Sequence, residues 1–218
     1  MNLELARLKL GHLGLIRTLQ YYAGRALTRM TGVETYWLMC LEPDGIPPQP
    51  SLSIAPVDAD RLRREAADRA SGLDPANVAE ALANGDTCLG AFLEGTLASH
   101  LLLAEKSRAH LSGDVHVQLD GHWGYSRWAF TREQFRGLGL HQVLKTSALA
   151  AQVAAGRRGI LSLVSALNFE SLNAAENLGC RRVGWVAVAR LAGRSVALRS
   201  ASCAAYGLSV HVSPPKAP

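Results

Sequence analysis

The chain has 218 residues, of which 48% are hydrophobic and 19% are charged. This composition is typical of a folded protein and excludes a largely disordered one, because it supplies enough apolar side chains for a core. A net charge of +5 and a pI near 9.3 favour an acidic partner. Nucleic acid, a membrane surface, an acidic carrier protein and a phosphorylated cofactor all meet that description.

The N-terminal segment, residues 2–30, has apolar residues at a helical spacing, interrupted around Gly11 and Gly14. Its charge is +4, most of the net charge of the chain, from Arg7, Lys9, Arg17, Arg25 and Arg29 against Glu4. We expect a helical extension that packs on the main domain and turns a basic face to solvent. The alternative is an amphipathic segment that contacts anionic lipid or an acidic protein.

The next segments predict an extension over residues 1–50 and a main domain over residues 51–218. "ETYWLMCL" is typical of a strand, and the proline-rich "EPDGIPPQP" predicts a linker. The main domain then begins with a short strand, "SLSIAPV", and helices over 58–70 and 74–83. Two strands joined at Glu94-Gly95 form a hairpin, and "GYSRWAF" adds a third strand.

The stretch "EQFRGLGLHQVL" follows that third strand and opens a helix. The spacing Gln134-x-x-Gly137-x-Gly139 does not by itself distinguish a phosphate-binding turn from a flexible one, so the flanking elements decide. A helix N-terminus has unpaired N–H groups and a partial charge of about +0.5, which favour an anion. Glycines let the backbone approach a phosphate, and Arg136 adds a cation.

The remaining segments complete an α+β pattern. "GILSLVSAL" predicts a strand, "NFESLNAAENLGC" predicts a helix capped by Asn168, and "RRVGWVAVARL" and "SVALRSAS" predict two further strands. The four cysteines are scattered without a metal-ligand or disulfide pattern, so we expect buried apolar fillers and no metal. Neither a signal peptide nor an apolar run of the ~20 residues that span a bilayer is apparent, so we expect a cytoplasmic protein.

Residues 51–200 resemble the GNAT superfamily of N-acetyltransferases in the order and spacing of two motifs. Gln134, Gly137 and Gly139 match the family's Gln/Arg-x-x-Gly-x-Gly/Ala turn. Asn168-x-x-Ser171, followed by Leu178-Gly179, resembles a second family segment, with Cys180 where an aromatic residue is usual. The resemblance implies a mixed, mostly antiparallel sheet flanked by helices.

The resemblance also implies acetyl-CoA as acyl donor and assigns residues to it. In the family, the fourth and fifth strands splay apart and hold the pantetheine arm, here against the backbone of Ala129, Phe130 and Thr131. Asn168 holds the arm from the other side. The pyrophosphate is bound at the turn, here by Gln134, Arg136, Gly137, Leu138, Gly139, Leu140 and His141.

The expected reaction is transfer of an acetyl group to a small amine or an amino sugar, by direct attack in a ternary complex. Family members often use a glutamate base and a tyrosine acid, but here the strand "HWGYSRWAF" has no carboxylate and the tyrosine position is Ala175. The remaining candidates are His122 and Tyr125 as base, and Ser171 as proton donor to the sulfur.

Three alternatives stay open. "YSRWAF" is similar to the Ser-Arg-aromatic strand of autoinducer and N-acyl amino acid synthases, which take long acyl chains from acyl carrier protein, although Gly124 replaces the expected acid. A non-catalytic CoA-binding domain would also fit the missing acid and base. The basic N-terminus could instead bind a membrane. We expect no nucleic-acid partner, and a homodimer is left open.

Overall fold

The computed structural model describes residues 3–44, 54–104, 108–191 and 194–213, with side chains described except for those of residues 3–15 and 108. Its helices are α1 (Leu3–Thr31), α2 (Ala59–Ala66), α3 (Pro75–Asn84), α4 (Leu140–Ala154), α5 (Phe169–Asn177) and α6 (Ser202–Ala205). Its strands are β1 (Val33–Leu41), β2 (Ile54–Pro56), β3 (Thr87–Leu93), β4 (Thr96–Ala104), β5 (Arg108–Ser112), β6 (Val115–Leu119), β7 (Gly124–Thr131), β8 (Ile160–Ser165), β9 (Arg181–Leu191), β10 (Arg194–Arg199) and β11 (Leu208–Val212).

Eight of the strands form one mixed sheet in the order β10-β9-β1-β8-β7-β4-β3-β2. All neighbours are antiparallel except β7 and β8, which are parallel. The α+β class, the hairpin at Glu94-Gly95 and the mostly antiparallel sheet are therefore confirmed. A second sheet, β11-β6-β5, was not expected from the sequence.

Strand β1 lies in the middle of the large sheet, between β8 and β9. The expected boundary near residue 51 therefore does not separate this strand from the main domain. The reason is the uninterrupted apolar run from Leu38 to Leu41, which is buried on both faces, as in a central strand. Residues 45–50 of the expected linker lie outside the described residues.

Helix α1 continues through Gly11 and Gly14, where the sequence indicates an interruption. A glycine inside a helix costs about 1 kcal/mol relative to alanine. The leucine, alanine and arginine residues around both glycines favour the helix, so the cost does not break it.

The helices cover opposite faces of the large sheet. Leu101 and Leu103 of β4 pack in the core beneath α4 and α5, whereas Leu102 packs in the core beneath α2 and α3. This alternation is the period-2 pattern of a strand. The second sheet packs on the same face as α2 and α3 but below β1, β8 and β9. The expectation of buried, unpaired cysteines is confirmed for Cys40, Cys88, Cys180 and Cys203.

No helix in the described part of the chain combines the length and apolar character that crossing a membrane requires.

Candidate functional site

A gap between β7 and β8 is the main feature of the large sheet. These two strands pair only at Gly124–Ile160 and Tyr125–Leu161. Beyond that point β7 stays paired with β4 as far as Thr131, and β8 stays paired with β1 as far as Ser165. The two strands therefore diverge, and a cavity of about 320 Å³ lies between them.

The cavity connects the two faces of the sheet. Its walls are residues 126–130 of β7 and residues 162–165 of β8. Helices α4 and α5 contribute from one face, and residues 72–74 and Asn77 of the α2–α3 region contribute from the other. A ligand in the gap can therefore be reached from both sides of the sheet.

Strand β7 contains a bulge at the gap. Trp128 pairs with Leu102 and Ser126 pairs with Leu103, so Arg127 is an extra residue in the ladder. A bulge leaves backbone groups of the extra residue unpaired. In this strand those groups are next to the cavity, because residues 126–130 line it.

The Arg127 side chain leaves the gap and contacts α3 and the loop after it. Its guanidinium donates to Asp86 at 2.8 Å and to Glu80 at 2.9 Å, and it stacks 4.4 Å from the centre of the Trp128 ring. The side chain is only 1% exposed, and its buried Nε has no hydrogen-bond partner among the described residues. The ion pairs attach α3 to the wall of the gap.

The glycine turn lies at the open end of the gap. Gly137 and Gly139 have φ angles of 84° and 71°, in the left-handed region that favours glycine. The first hydrogen bond at the start of α4 is donated by the Val143 N–H to the Gly139 carbonyl, at 3.1 Å. The N–H groups just before Val143 therefore precede the helical ladder, and groups of this kind at a helix N-terminus can donate to an anion.

Helix α5 forms the facing wall. The Asn168 side-chain oxygen accepts a hydrogen bond from the Ser171 N–H at 3.2 Å and so caps the helix. This cap leaves the Asn168 amide N–H₂ group for a ligand, because the two functions use different atoms. Ala175, one turn after Ser171, is buried and lines the cavity without contributing a polar group.

The cavity has a basic side chain buried in its wall. Lys145 is 5% exposed, and burial lowers its pKa to about 8. Among the described residues, no carboxylate contributes to this pKa shift, and the one opposing electrostatic effect comes from Cys180. His141, four residues earlier on α4, has its pKa lowered to about 4 by burial and then by the Lys145 charge.

A second histidine, His100 of β4, lies on the opposite side of the cavity. It is 2% exposed, and its ring centre is 6.1 Å from that of Phe130. Burial lowers its pKa to about 4, against the opposing effect of Glu65. Both histidines that line the gap are therefore neutral near pH 7, while Lys145 is mostly charged.

The structure brings several of the expected site residues together. Ala129, Phe130, His141, Asn168 and Ser171 line the cavity. The turn from Gln134 to Leu140 follows directly at its open end, where Leu140 is buried, Phe135 is half-buried and the other residues are exposed. Thr131 ends β7, where its hydroxyl is 2.8 Å from that of Ser99.

Tyr125 and His122 are not placed in the cavity. Tyr125 points into the apolar core beneath the second sheet, where burial raises its pKa. His122 is exposed in the loop before β7, and its backbone N–H donates a hydrogen bond to the Asp120 carboxylate at 3.0 Å. This loop is at the opposite end of β7 from the glycine turn, so neither side chain is positioned as a base.

Sequence reasoning missed Lys145 and His100. Each leaves a trace in the sequence, because each is a polar residue inside an apolar pattern: Lys145 follows Leu144 on the buried face of α4, and His100 interrupts "LASHLLLA". In the described residues no group of three or more His, Cys, Asp or Glu side chains could hold a metal ion.

Comparison with known proteins identifies the fold. A protein from Novosphingobium aromaticivorans assigned to the GNAT family of acetyltransferases is similar, with a TM-score of 0.52 and 16% identity over 72% of this chain and 63% of that one. The chain has the GNAT acetyltransferase fold. A GCN5-related N-acetyltransferase from Sphaerobacter thermophilus gives a TM-score of 0.50 and 16% identity over 82% of this chain and 56% of its own.

A GNAT-family acetyltransferase from Colwellia psychrerythraea also shares the fold, with a TM-score of 0.50 and 11% identity, over 73% of this chain and 57% of that one. This chain thus spans 56–63% of the length of these three GNAT-fold structures. No family profile matches the sequence, and no curated protein matches it either.

Proposed function

We propose that this protein is an acyltransferase that moves an acetyl group from acetyl-CoA to the amine of a small molecule or an amino sugar, in a ternary complex in the cytoplasm. The observation that carries this proposal is the gap between β7 and β8, which opens at one end onto the glycine turn of α4. The gap would hold the arm that carries the thioester, and the turn would hold the diphosphate. Both parts belong to one donor molecule, so the two features must be adjacent.

The donor would be held by backbone groups more than by side chains. The diphosphate would accept hydrogen bonds from N–H groups between Arg136 and His141, each contributing around 1.5 to 3 kcal/mol. The pantetheine arm would pair with the free edge of β7 at Ala129–Thr131, since the other edge is occupied by β4. Asn168 would contact the arm through its uncapped amide N–H₂ group.

The acceptor would enter from the face covered by α2 and α3. Asp74 lines the gap on that side, and it is the one carboxylate among the described lining residues. Its Oδ1 caps α3 by accepting hydrogen bonds from the Ala76 and Asn77 N–H groups, and its negative charge on this side of the gap favours a cationic amine over a neutral or acidic acceptor. The amine would release one proton to solvent before attack, with neutral His100 available to accept a hydrogen bond from the resulting neutral amine.

Lys145 would complete the chemistry by protonating the leaving group. The acceptor nitrogen attacks the thioester carbonyl carbon, and backbone N–H at the Arg127 bulge would stabilise the oxyanion. The attacking nitrogen then releases its extra proton to solvent. When the C–S bond breaks, the electron pair stays on sulfur and takes a proton from the Lys145 ammonium, and a proton from solvent restores that ammonium. A pKa of about 8 is close to that of a thiol, so this proton transfer is nearly balanced.

Ser171 places a hydroxyl in the lining of the gap, on the α5 side. Its hydroxyl has a far higher pKa than an ammonium group, so it would orient the sulfur by a hydrogen bond and would not supply the proton. Arg127 has a structural task, because Asp86 and Glu80 occupy its charge. The Ser-Arg likeness therefore gives no specific support to a carrier-protein donor.

The test is release of free thiol from acetyl-CoA, followed with a thiol reagent while a panel of small amines and amino sugars is supplied one at a time. The proposal expects amine-dependent release and an N-acetylated product by mass spectrometry. Amine-independent release, or release only from long-chain donors on carrier protein, would reject it.

A further inference from the structure

Helix α1 turns an apolar stripe to the solvent. Ile16 is 73% exposed, Leu19 61%, Leu27 61% and Met30 84%. Their spacing of 3, 11 and 14 residues from Ile16 places them on one side of a helix with 3.6 residues per turn. A single exposed leucine is ordinary, but four aligned on one helix form a continuous surface.

The inner side of α1 is polar, small or aromatic instead of aliphatic. Arg17 donates to the side-chain oxygen of Asn173 at 2.6 Å, Thr18 is 4% exposed, and Gly24 lies against the side chain of Leu167. This is the reverse of a helix that folds onto a water-soluble domain. The structure leaves Arg17, Arg25 and Arg29 exposed, as expected, and it exposes the apolar stripe as well.

The helix that carries the stripe is strongly basic. The whole of α1 has five basic residues and one acidic residue, and Arg25 and Arg29 are exposed on other sides of the helix than the stripe. A helix with an exposed apolar stripe, a net positive charge and low overall hydrophobicity has the properties of one that lies in the interface of a bilayer. Each basic residue near an anionic surface adds to the attraction.

We propose that α1 docks this protein onto an anionic lipid surface, with Ile16, Leu19, Leu27 and Met30 inserted among the lipids. This inference goes beyond the proposed acyl transfer and does not depend on it. A second copy of the chain is a poorer occupant, because two α1 helices that each carry a net charge of +4 repel each other. The lipid headgroups instead supply the opposite charge.

The experiment is co-sedimentation of the full chain with vesicles of phosphatidylcholine alone and of phosphatidylcholine mixed with phosphatidylglycerol. Binding is expected to the anionic vesicles only, and to weaken as salt is raised. The variant Leu19→Ser/Leu27→Ser/Met30→Ser should lose at least about tenfold in partitioning, since each buried apolar side chain contributes to insertion. Arg29→Gln should weaken binding to anionic vesicles by a few-fold.

Leu198→Ser is the matched control, because Leu198 is 62% exposed on β10 and lies outside α1. It should leave partitioning unchanged, and circular dichroism should confirm that all variants are folded. Three results would overturn the inference: no binding to anionic vesicles at low salt, equal binding to neutral vesicles, or an equal loss in the control. A wild-type dimer that the triple variant converts to monomer would also overturn it.

Discussion

Lys145 lies one helical turn beyond His141 on α4, and both side chains line the gap between β7 and β8. Burial lowers the pKa of Lys145 to about 8 and that of His141 to about 4. Near neutral pH the gap therefore holds one mostly charged proton donor beside one neutral ring. This pairing places in the gap an acidic group of the kind that the proposed acyl transfer needs.

Lys145→Met should slow the chemical step and leave donor binding nearly intact. We expect kcat to fall by about 100-fold, the lower range for loss of general acid catalysis. The Kd for acetyl-CoA should change by less than about threefold, because the proposed binding groups are backbone N–H groups and Asn168. Steady-state kinetics and calorimetry measure the two quantities separately.

The pH profile separates a proton donor from a packing residue. In the wild type, kcat should fall above pH 8 as Lys145 loses its proton, and this limb should be absent in Lys145→Met. Lys145→Arg keeps the charge but holds its proton too tightly to donate it, so it should not restore kcat. Full activity in Lys145→Arg would contradict the assignment.

Lys145→Met should also be more stable than the wild type. The folded pKa of about 8 is below the ordinary 10.5, so the unfolded chain binds more protons between these values. The free energy of unfolding of the wild type should therefore rise by about 3 kcal/mol from pH 8 to pH 10.5. Urea unfolding of Lys145→Met should show a higher free energy of unfolding at pH 7 and lack that rise.

Gly137→Glu should abolish acetyl-CoA binding by placing a carboxylate where the diphosphate is proposed to lie. Gly156→Glu is the matched control, because Gly156 has a similar φ of 80° and follows the far end of α4. Both variants add the same charge and the same left-handed strain, about 1 kcal/mol. Calorimetry should find binding in the control only; loss in both would indicate a general effect on α4.

Arg127→Met should destabilise the fold, because it leaves Asp86 buried without its cation. The expected cost is about 3–5 kcal/mol, the range for breaking a buried ion pair. Arg63→Met breaks the ion pair with Asp60, whose side chains are 62% and 78% exposed, and should cost less than about 1 kcal/mol. Urea denaturation of both variants tests the contrast, and equal costs would show that Arg127 is not anchored as described.

His100 should make the protein sensitive to acid. Its folded pKa of about 4 is below the ordinary 6.5, so the unfolded chain binds more protons between pH 4 and 6.5. Stability that is present above pH 6.5 should be lost as the pH falls through this window. His100→Gln should unfold with a shallower pH dependence there, which thermal denaturation across that range would measure.

The sequence was sufficient to predict the elements that we propose to hold the donor, because these elements are local. A strand, a glycine turn and a helix are consecutive in the chain, and Gln134 to His141 therefore lie together whatever the rest of the fold does. Asn168 was predictable for the same reason, as the cap of the next helix.

Features that depend on distant partners were not predictable. The position of β1 between β8 and β9 requires strands about 120–155 residues apart to pair, and no local pattern specifies that register. The burial of Lys145 follows from the divergence of β7 and β8. The outward stripe of α1 depends on which side of the helix meets α5, and the periodicity of the sequence does not fix that choice.

The central claim is that the gap and its glycine turn bind an acyl-CoA, and calorimetric titration of the wild-type chain with acetyl-CoA tests it most directly. The account predicts saturable binding with a micromolar Kd, equivalent to about −8 kcal/mol, and weaker binding of the donor stripped of its diphosphate. Absence of heat with acetyl-CoA, free CoA and a long-chain acyl-CoA would contradict it.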